Sequence, residues 1–152
     1  WQMGNLGGAN WQKVSIMASV SLVIFSLLPS QARSLNALLL GESEARHLGI
    51  DVQRIKRQLI FLTALGVGVS VALAGLIGFV GLIVPHMVRL LIGPDHRALL
   101  PASALAGASL LLIADSIARV VVLPAELPTG ILTALLGAPF FVALLLKQRG
   151  QI

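Results

Sequence analysis

The chain has 152 residues, of which 57% are hydrophobic and 11% charged, with a mean hydropathy of +0.93 and a net charge of +5. Soluble domains carry about 45–50% apolar and about 25% charged residues, so this composition belongs to a chain whose solvent is lipid. Cysteine is absent, which excludes disulfides, thiolate metal sites and cysteine nucleophiles.

The first residues, from Trp1, are rich in glycine. No basic segment precedes an apolar one, as it would in a signal peptide. The expectation is a chain that starts inside a larger protein. Val14–Ala32 is the first block of low charge and reads as a membrane helix, since a bilayer core of about 30 Å takes roughly 20 apolar residues.

The longest polar stretch follows, Ser34–Arg57. Gly41 interrupts a helix-like run within it. A short helix is expected from about Glu42 to Leu48. Glu42 and Arg46 are spaced for a helical ion pair, and Gly49 stands where a helix ends. Ala45 and Leu48 give this helix a small apolar face. Asp51 is a candidate N-cap for the next helix. On these residues alone the segment is either a solvated loop helix or a docking element for a cytoplasmic partner.

Gln58–Val88 carries no formal charge and is long enough for two elements. Gly75, Gly78, Gly81 and Pro85 punctuate it, which suggests a helix, a glycine turn and a second helix returning. Glycines three residues apart permit close backbone approach or an unwound stretch, a device found in transporters. His86 and Arg89 follow. An ionisable group in a membrane segment is a functional candidate, although both residues also fit an interfacial position. Ala98–Ala114, extended to about Val122, is the next block. Asp115 and Arg119 lie four apart near its end, and such a pair lowers the cost of each charge in lipid. Pro124–Gly130 then reads as a loop of fixed shape with Glu126 as its charge. Leu127–Leu146 is the last block, with Pro139 marking an expected kink.

These blocks predict an all-α bundle of about five transmembrane helices. Small residues such as Gly66, Gly68, Ser70, Ala134, Gly137 and Ala138 supply the close contacts that helices in lipid need. Arg33, Arg46, Arg54, Lys56, Arg57, Arg89, Arg97, Lys147 and Arg149 fall on one side, and Lys13 and Arg119 on the other. Cytoplasmic loops hold the excess of Lys and Arg. The polar stretch and the C-terminus are therefore expected inside, and the positive charge reads as topology rather than as a nucleic-acid surface. There is no G-x-x-x-x-G-K-[ST], no G-x-S-x-G and no H-E-x-x-H. ATP binding and catalysis are not expected of this chain, nor any cofactor or metal site.

Three segments, LGESEARHLGID, GLIGFVGLIVPHMVRLLIGPDHRALLPASALAGASLLLIADSIARV and PAELPTGILTALLGAPFFVALLLK, resemble the permease subunits of bacterial ABC importers for iron–siderophores, haem and cobalamin, the FecCD-like family. The resemblance covers nearly the whole chain and is most marked toward the haem permeases. It implies a ten-helix permease of which residues 1–152 form the C-terminal half, in the bacterial inner membrane. It also implies that Leu40, Gly41, Glu42, Ala45, Arg46, Leu48 and Gly49 belong to a cytoplasmic coupling helix (residues 40–49) that sits in an ATPase subunit. Arg119 matches the position that meets an acidic residue of the periplasmic binding protein. Gly75, Gly78, Gly81, Pro85 and His86 match motifs near the pathway. The implied partners are the ATPase, which binds the ATP, the binding protein, a second permease subunit and membrane lipid. On the residues alone, a secondary transporter or a non-transporting membrane scaffold stays open.

Overall fold

The computed structural model describes residues 4, 6–121 and 128–149. Every regular element among them is helical: α1 Trp11–Leu27, α2 Ala32–Leu38, α3 Glu42–His47, α4 Val52–Ala74, α5 Val80–Ile92, α6 His96–Val121 and α7 Thr129–Arg149. Three stretches are long and apolar enough to cross a membrane: Trp11–Leu38, Val52–Ala74 and His96–Val120. The α5 helix has 13 residues and the α7 helix 21. At 1.5 Å per residue α5 is only about 20 Å long, too short by itself to span a hydrocarbon core of about 30 Å.

Local chemistry sets the boundaries. Asn10 caps α1 by accepting from the Lys13 amide at 2.8 Å. Pro29 opens a 3-10 turn that ends α1 and leads into α2. The polar stretch therefore holds two short helices, α2 and α3, where the sequence predicted one. Asp51 caps α4 as expected, accepting from the Arg54 amide at 3.0 Å. Asp95 does the same for α6, accepting from the Arg97 amide at 3.0 Å. Of the loop expected at Pro124–Gly130, Pro124 and Glu126 lie outside the described residues.

Buried apolar contacts form two small clusters. Ala37, Ala45 and Val52 join α2, α3 and α4. Val84, Val88 and Leu99 join α5 to α6, with Val80, Ala102, Ala106 and Leu110 packed around them. The outward faces carry Ile60, Leu90, Leu91 and Leu105, all at least two-thirds exposed. That is the pattern of a bundle whose outer surface meets lipid or other apolar protein rather than water.

Between α4 and α5 the backbone unwinds over residues 75–79. Gly75 ends α4 at φ 76°, and Phe79 precedes α5 at φ 67°, the one non-glycine residue with positive φ among those described. A bulky residue in this region is strained. The helix α7 crosses directly over it. A Cβ at Gly137 would stand 2.6 Å from Phe79 Cγ and 2.9 Å from Ile83 Cδ1. A Cβ at Gly130 would stand 2.9 Å from the Leu76 carbonyl oxygen. The expectation for the earlier glycines needs correction. Gly75 and Gly78 do belong to an unwound stretch, but Gly81 is helical and a Cβ there meets nothing within 4 Å. The close approach is provided by α7. Likewise Gly66 meets Ile24 of α1, whereas Gly68 faces open space.

Replacing Gly137 with Val should therefore destabilise the bundle by about 1–3 kcal/mol, the usual cost of overpacking, whereas Gly81→Ala should be neutral or slightly stabilising. Thermal unfolding of the purified membrane protein checks the contrast; equal melting temperatures for the two variants would contradict it.

Candidate functional site

The α3 platform is built by three features. Gly41 at φ 112° and Gly49 at φ 80° bracket the helix in conformations that side chains resist. Ala45 is fully buried against Ala37 and Val52. The Glu42 carboxylate bonds and ion-pairs with Lys56 Nζ on α4. The predicted Glu42–Arg46 helical pair is thus replaced by a tie between elements; Arg46 acts on Glu42 only through its more distant charge. The predicted apolar face also divides. Ala45 points into the chain, while Leu40 and Leu48 are 68% and 64% exposed. Docking contacts would come from Leu40 and Leu48, with Ala45 as the floor beneath them. The helix proper is Glu42–His47; Leu40, Gly41, Leu48 and Gly49 flank it.

A second feature was not found by sequence reasoning. Asn36, on α2, donates to Asp95 Oδ1 at 2.6 Å. Its own oxygen accepts from the His96 amide at 2.9 Å and lies 2.8 Å from His96 Nδ1. One amide side chain thereby fastens α2, just before the platform, to the start of α6. The only cue was Asp95 as a helix cap ahead of an apolar run; nothing local links it to a residue about sixty positions earlier.

At the other end of α6, Arg119 Nε donates to Asp115 Oδ2 at 2.8 Å, as the spacing predicted. Asp115 also accepts from Thr129 Oγ1 at 3.1 Å. Thr129 is only 1% exposed, so the pair is anchored to α7 as well as to its own helix. The Arg119 side chain is half exposed. Arg119 and the α3 platform therefore lie toward opposite ends of the bundle, joined through α6 and the Asn36 clasp. The structure does not bring them together.

The glycine-rich segment forms a third region. Leu76, Gly78, Gly130, Ile131, Ala134 and Leu135 line a groove of about 630 Å³ between the unwound stretch and α7. Pro85 and His86 lie on α5, half-buried, away from that groove. No cluster of three or more His, Asp or Glu groups able to hold a metal exists among the described residues.

Three membrane-length spans, two shorter apolar helices, an unwound segment held by a crossing helix and a polar platform at one end define a multi-pass helical membrane protein. The chain belongs to the FecCD transport family, whose pattern it matches over residues 1–147. It is 51% identical to the hemin transport system permease protein HmuU of Yersinia pestis over 99% of its own length and 45% of that protein's. It is 50% identical to the cobalamin import system permease protein BtuC of Halobacterium salinarum, covering 95% of this chain and 39% of the relative. A solved structure described as an inward-facing conformation of a metal-chelate type ABC transporter matches with a TM-score of 0.89 at 42% identity, over 97% of this chain and 49% of that one. The chain thus spans about half the length of the relatives it matches.

The hydrogen bond and charge of Lys56 hold the Glu42 carboxyl below its ordinary 4.5. The Arg97 amide and the Asn36 side chain hold Asp95 below its ordinary 3.8. Folded values depressed in this way stabilise above the ordinary carboxylate range, and the gain is lost as pH falls through the folded values. Amide exchange in α2 and α3, corrected for intrinsic rates, should therefore be slow at pH 7 and loosen below about pH 4. Lys56→Met should loosen α3 already at neutral pH. Protection that does not change with pH in the unsubstituted protein would contradict this account.

Proposed function

We propose that this chain is part of the membrane permease of an ATP-driven importer that carries an iron complex, haem foremost, across the bacterial inner membrane. The observation that carries the reading is the α3 platform: a helix bracketed by positive-φ glycines, tied to α4 through Glu42–Lys56, with exposed Leu40 and Leu48 beside it. It is built rigidly enough to receive force, and it presents apolar side chains on the side that holds most of the basic residues. That side is the cytoplasm under the charge rule for membrane loops, which places the C-terminus inside.

The partners follow from that placement. A separate ATPase subunit binds nucleotide and docks on Leu40–Gly49. A periplasmic binding protein delivers cargo at the opposite end, where Asp115 and Thr129 orient Arg119 toward an acidic side chain. A second permease copy completes the pathway. Closure of the ATPases displaces α3; the Ala37–Ala45–Val52 cluster passes that motion to α2 and α4. The Asn36 clasp passes it to α6. Access then alternates between the two sides of the membrane.

Haem is preferred because of the similarity to the hemin permease, but the cobalamin relatives stand within one per cent of it in identity. Cobalamin is therefore the second reading. Uptake by proteoliposomes holding the whole transporter, offered haem, ferric siderophore and cobalamin in turn, separates the two and tests ATP dependence. The expected result is ATP-dependent haem uptake. In the same assay Leu48→Asp should reduce uptake and ATPase retention by about ten-fold, the scale of losing an apolar anchor at an interface, with unchanged thermal stability because Leu48 is exposed. Wild-type uptake by that variant would remove α3 as the coupling element. Arg119→Glu should weaken binding-protein affinity by about ten-fold at low salt, with a smaller effect at high salt as screening sets in. Unchanged affinity at low salt would remove Arg119 from the docking surface.

A further inference from the structure

A cleft of about 480 Å³ opens between the end of α1, α2 and the first turns of α6. Phe25, Leu28 and Leu100 form its apolar wall, and Arg33 and Arg97 line it as well. Phe25 is 58% exposed, so the wall is open to the surroundings of the bundle. Neither guanidinium makes a hydrogen bond or ion pair among the described residues. Arg97 stands in the first turn of α6, where the helix dipole disfavours a cation. The neighbouring Asp95 carboxylate offsets part of that cost through its charge alone, and an anion from outside the chain would offset the rest.

The cleft is held in shape. The Asn36 clasp fastens α2, which carries Arg33, to the His96 amide and to Asp95, and Asp95 in turn holds the Arg97 amide. The two arginines are thus set on facing elements by hydrogen bonds rather than by chance proximity. Depth is the third consideration. Arg97 and Arg119 are separated by roughly 33 Å along α6 at 1.5 Å per residue, close to the thickness of a hydrocarbon core. With Arg119 at one boundary, Arg97 lies at the other, at headgroup level, and the apolar wall of Phe25, Leu28 and Leu100 flanks it.

We propose that this cleft binds an acidic diacyl phospholipid from the leaflet facing the basic loops, its phosphate between Arg33 and Arg97 and its acyl chain along Phe25, Leu28 and Leu100. A basic pocket between membrane helices on that side is suited to such a headgroup. The bound lipid joins α1 and α2 to α6 beside the clasp and steadies the frame of the α3 platform. The proposal requires only that the chain crosses a membrane; it does not depend on the cargo or on ATP.

The test uses the complete polypeptide purified in detergent and native mass spectrometry. Phosphatidylglycerol, phosphatidylcholine of the same chain length and inorganic phosphate serve as probes. Phosphatidylglycerol should bind more tightly than phosphatidylcholine, and millimolar phosphate should fail to displace it. Arg33→Gln and Arg97→Gln should each weaken binding by about five-fold, the equivalent of one basic residue at a membrane surface. Arg57→Gln, outside the cleft, should leave it unchanged. Both cleft arginines are exposed, so their variants are expected to fold, which the melting temperature verifies. Equal affinity in the cleft variants, or equally tight phosphatidylcholine, would overturn the proposal, as would a cleft filled by protein in the whole permease. Displacement of phosphatidylglycerol by inorganic phosphate would assign the site to a free anion and equally overturn it. Loss of transport with lipid binding intact would count against the transport reading instead.

Discussion

A bilayer offers no water to backbone polar groups, so any residue that leaves the helix inside the membrane must find its hydrogen bonds within the protein. Residues 75–79 leave it. Gly4 donates to the Leu76 carbonyl at 2.9 Å, and Gly130 donates to the Gly4 carbonyl at 3.1 Å. Three backbone segments far apart in the chain thereby close a short ladder at one end of the bundle. The positions of α4, α5 and α7 all depend on it. The glycines at 130 and 137 follow from the same requirement, because a side chain at either would hold α7 away from the segment it has to cover.

The opposite end is organised by charge and amide chemistry rather than by small residues. Glu42–Lys56 ties α3 to α4, and Asn36 ties α2 to Asp95 and His96. An exposed ion pair of the first kind contributes little to stability. Its role is positional: it fixes the orientation of a six-residue helix that could not persist alone. The Asn36 clasp has a wider reach, since α6 carries it at one end and Arg119 at the other. The platform end and the Arg119 end are therefore linked through the hydrogen-bonded Asn36 node and a single helix.

Much of this was legible in the residues. The apolar blocks located the three membrane-length spans and the two shorter apolar helices, glycine chemistry located the ends of α3, and the spacing of Asp115 and Arg119 gave their ion pair. What escaped was always a partnership between distant positions. Arg46 was the nearest cation to Glu42 in helical spacing, yet Lys56 is closer in space because α3 folds back on α4. Ala45 and Leu48 read as one small apolar face, but Ala45 is buried against the chain while Leu48, just before the turn at Gly49, stays outside. Gly81 looked like Gly75 and Gly78 in sequence and differs from them because it lies inside α5 rather than in the unwound stretch.

The sequence by itself determined the solvent, the helical class and the boundaries of most elements. These depend on local composition and on turn and cap chemistry, which need only a few neighbouring residues. The tertiary structure decided which glycines are indispensable, which face of α3 is available to a partner and how the two ends of α6 are connected. Those properties depend on contacts closed across long stretches of chain, such as Asn36 with Asp95 and Gly137 with Phe79, and no local pattern specifies the distance between residues that only folding brings together.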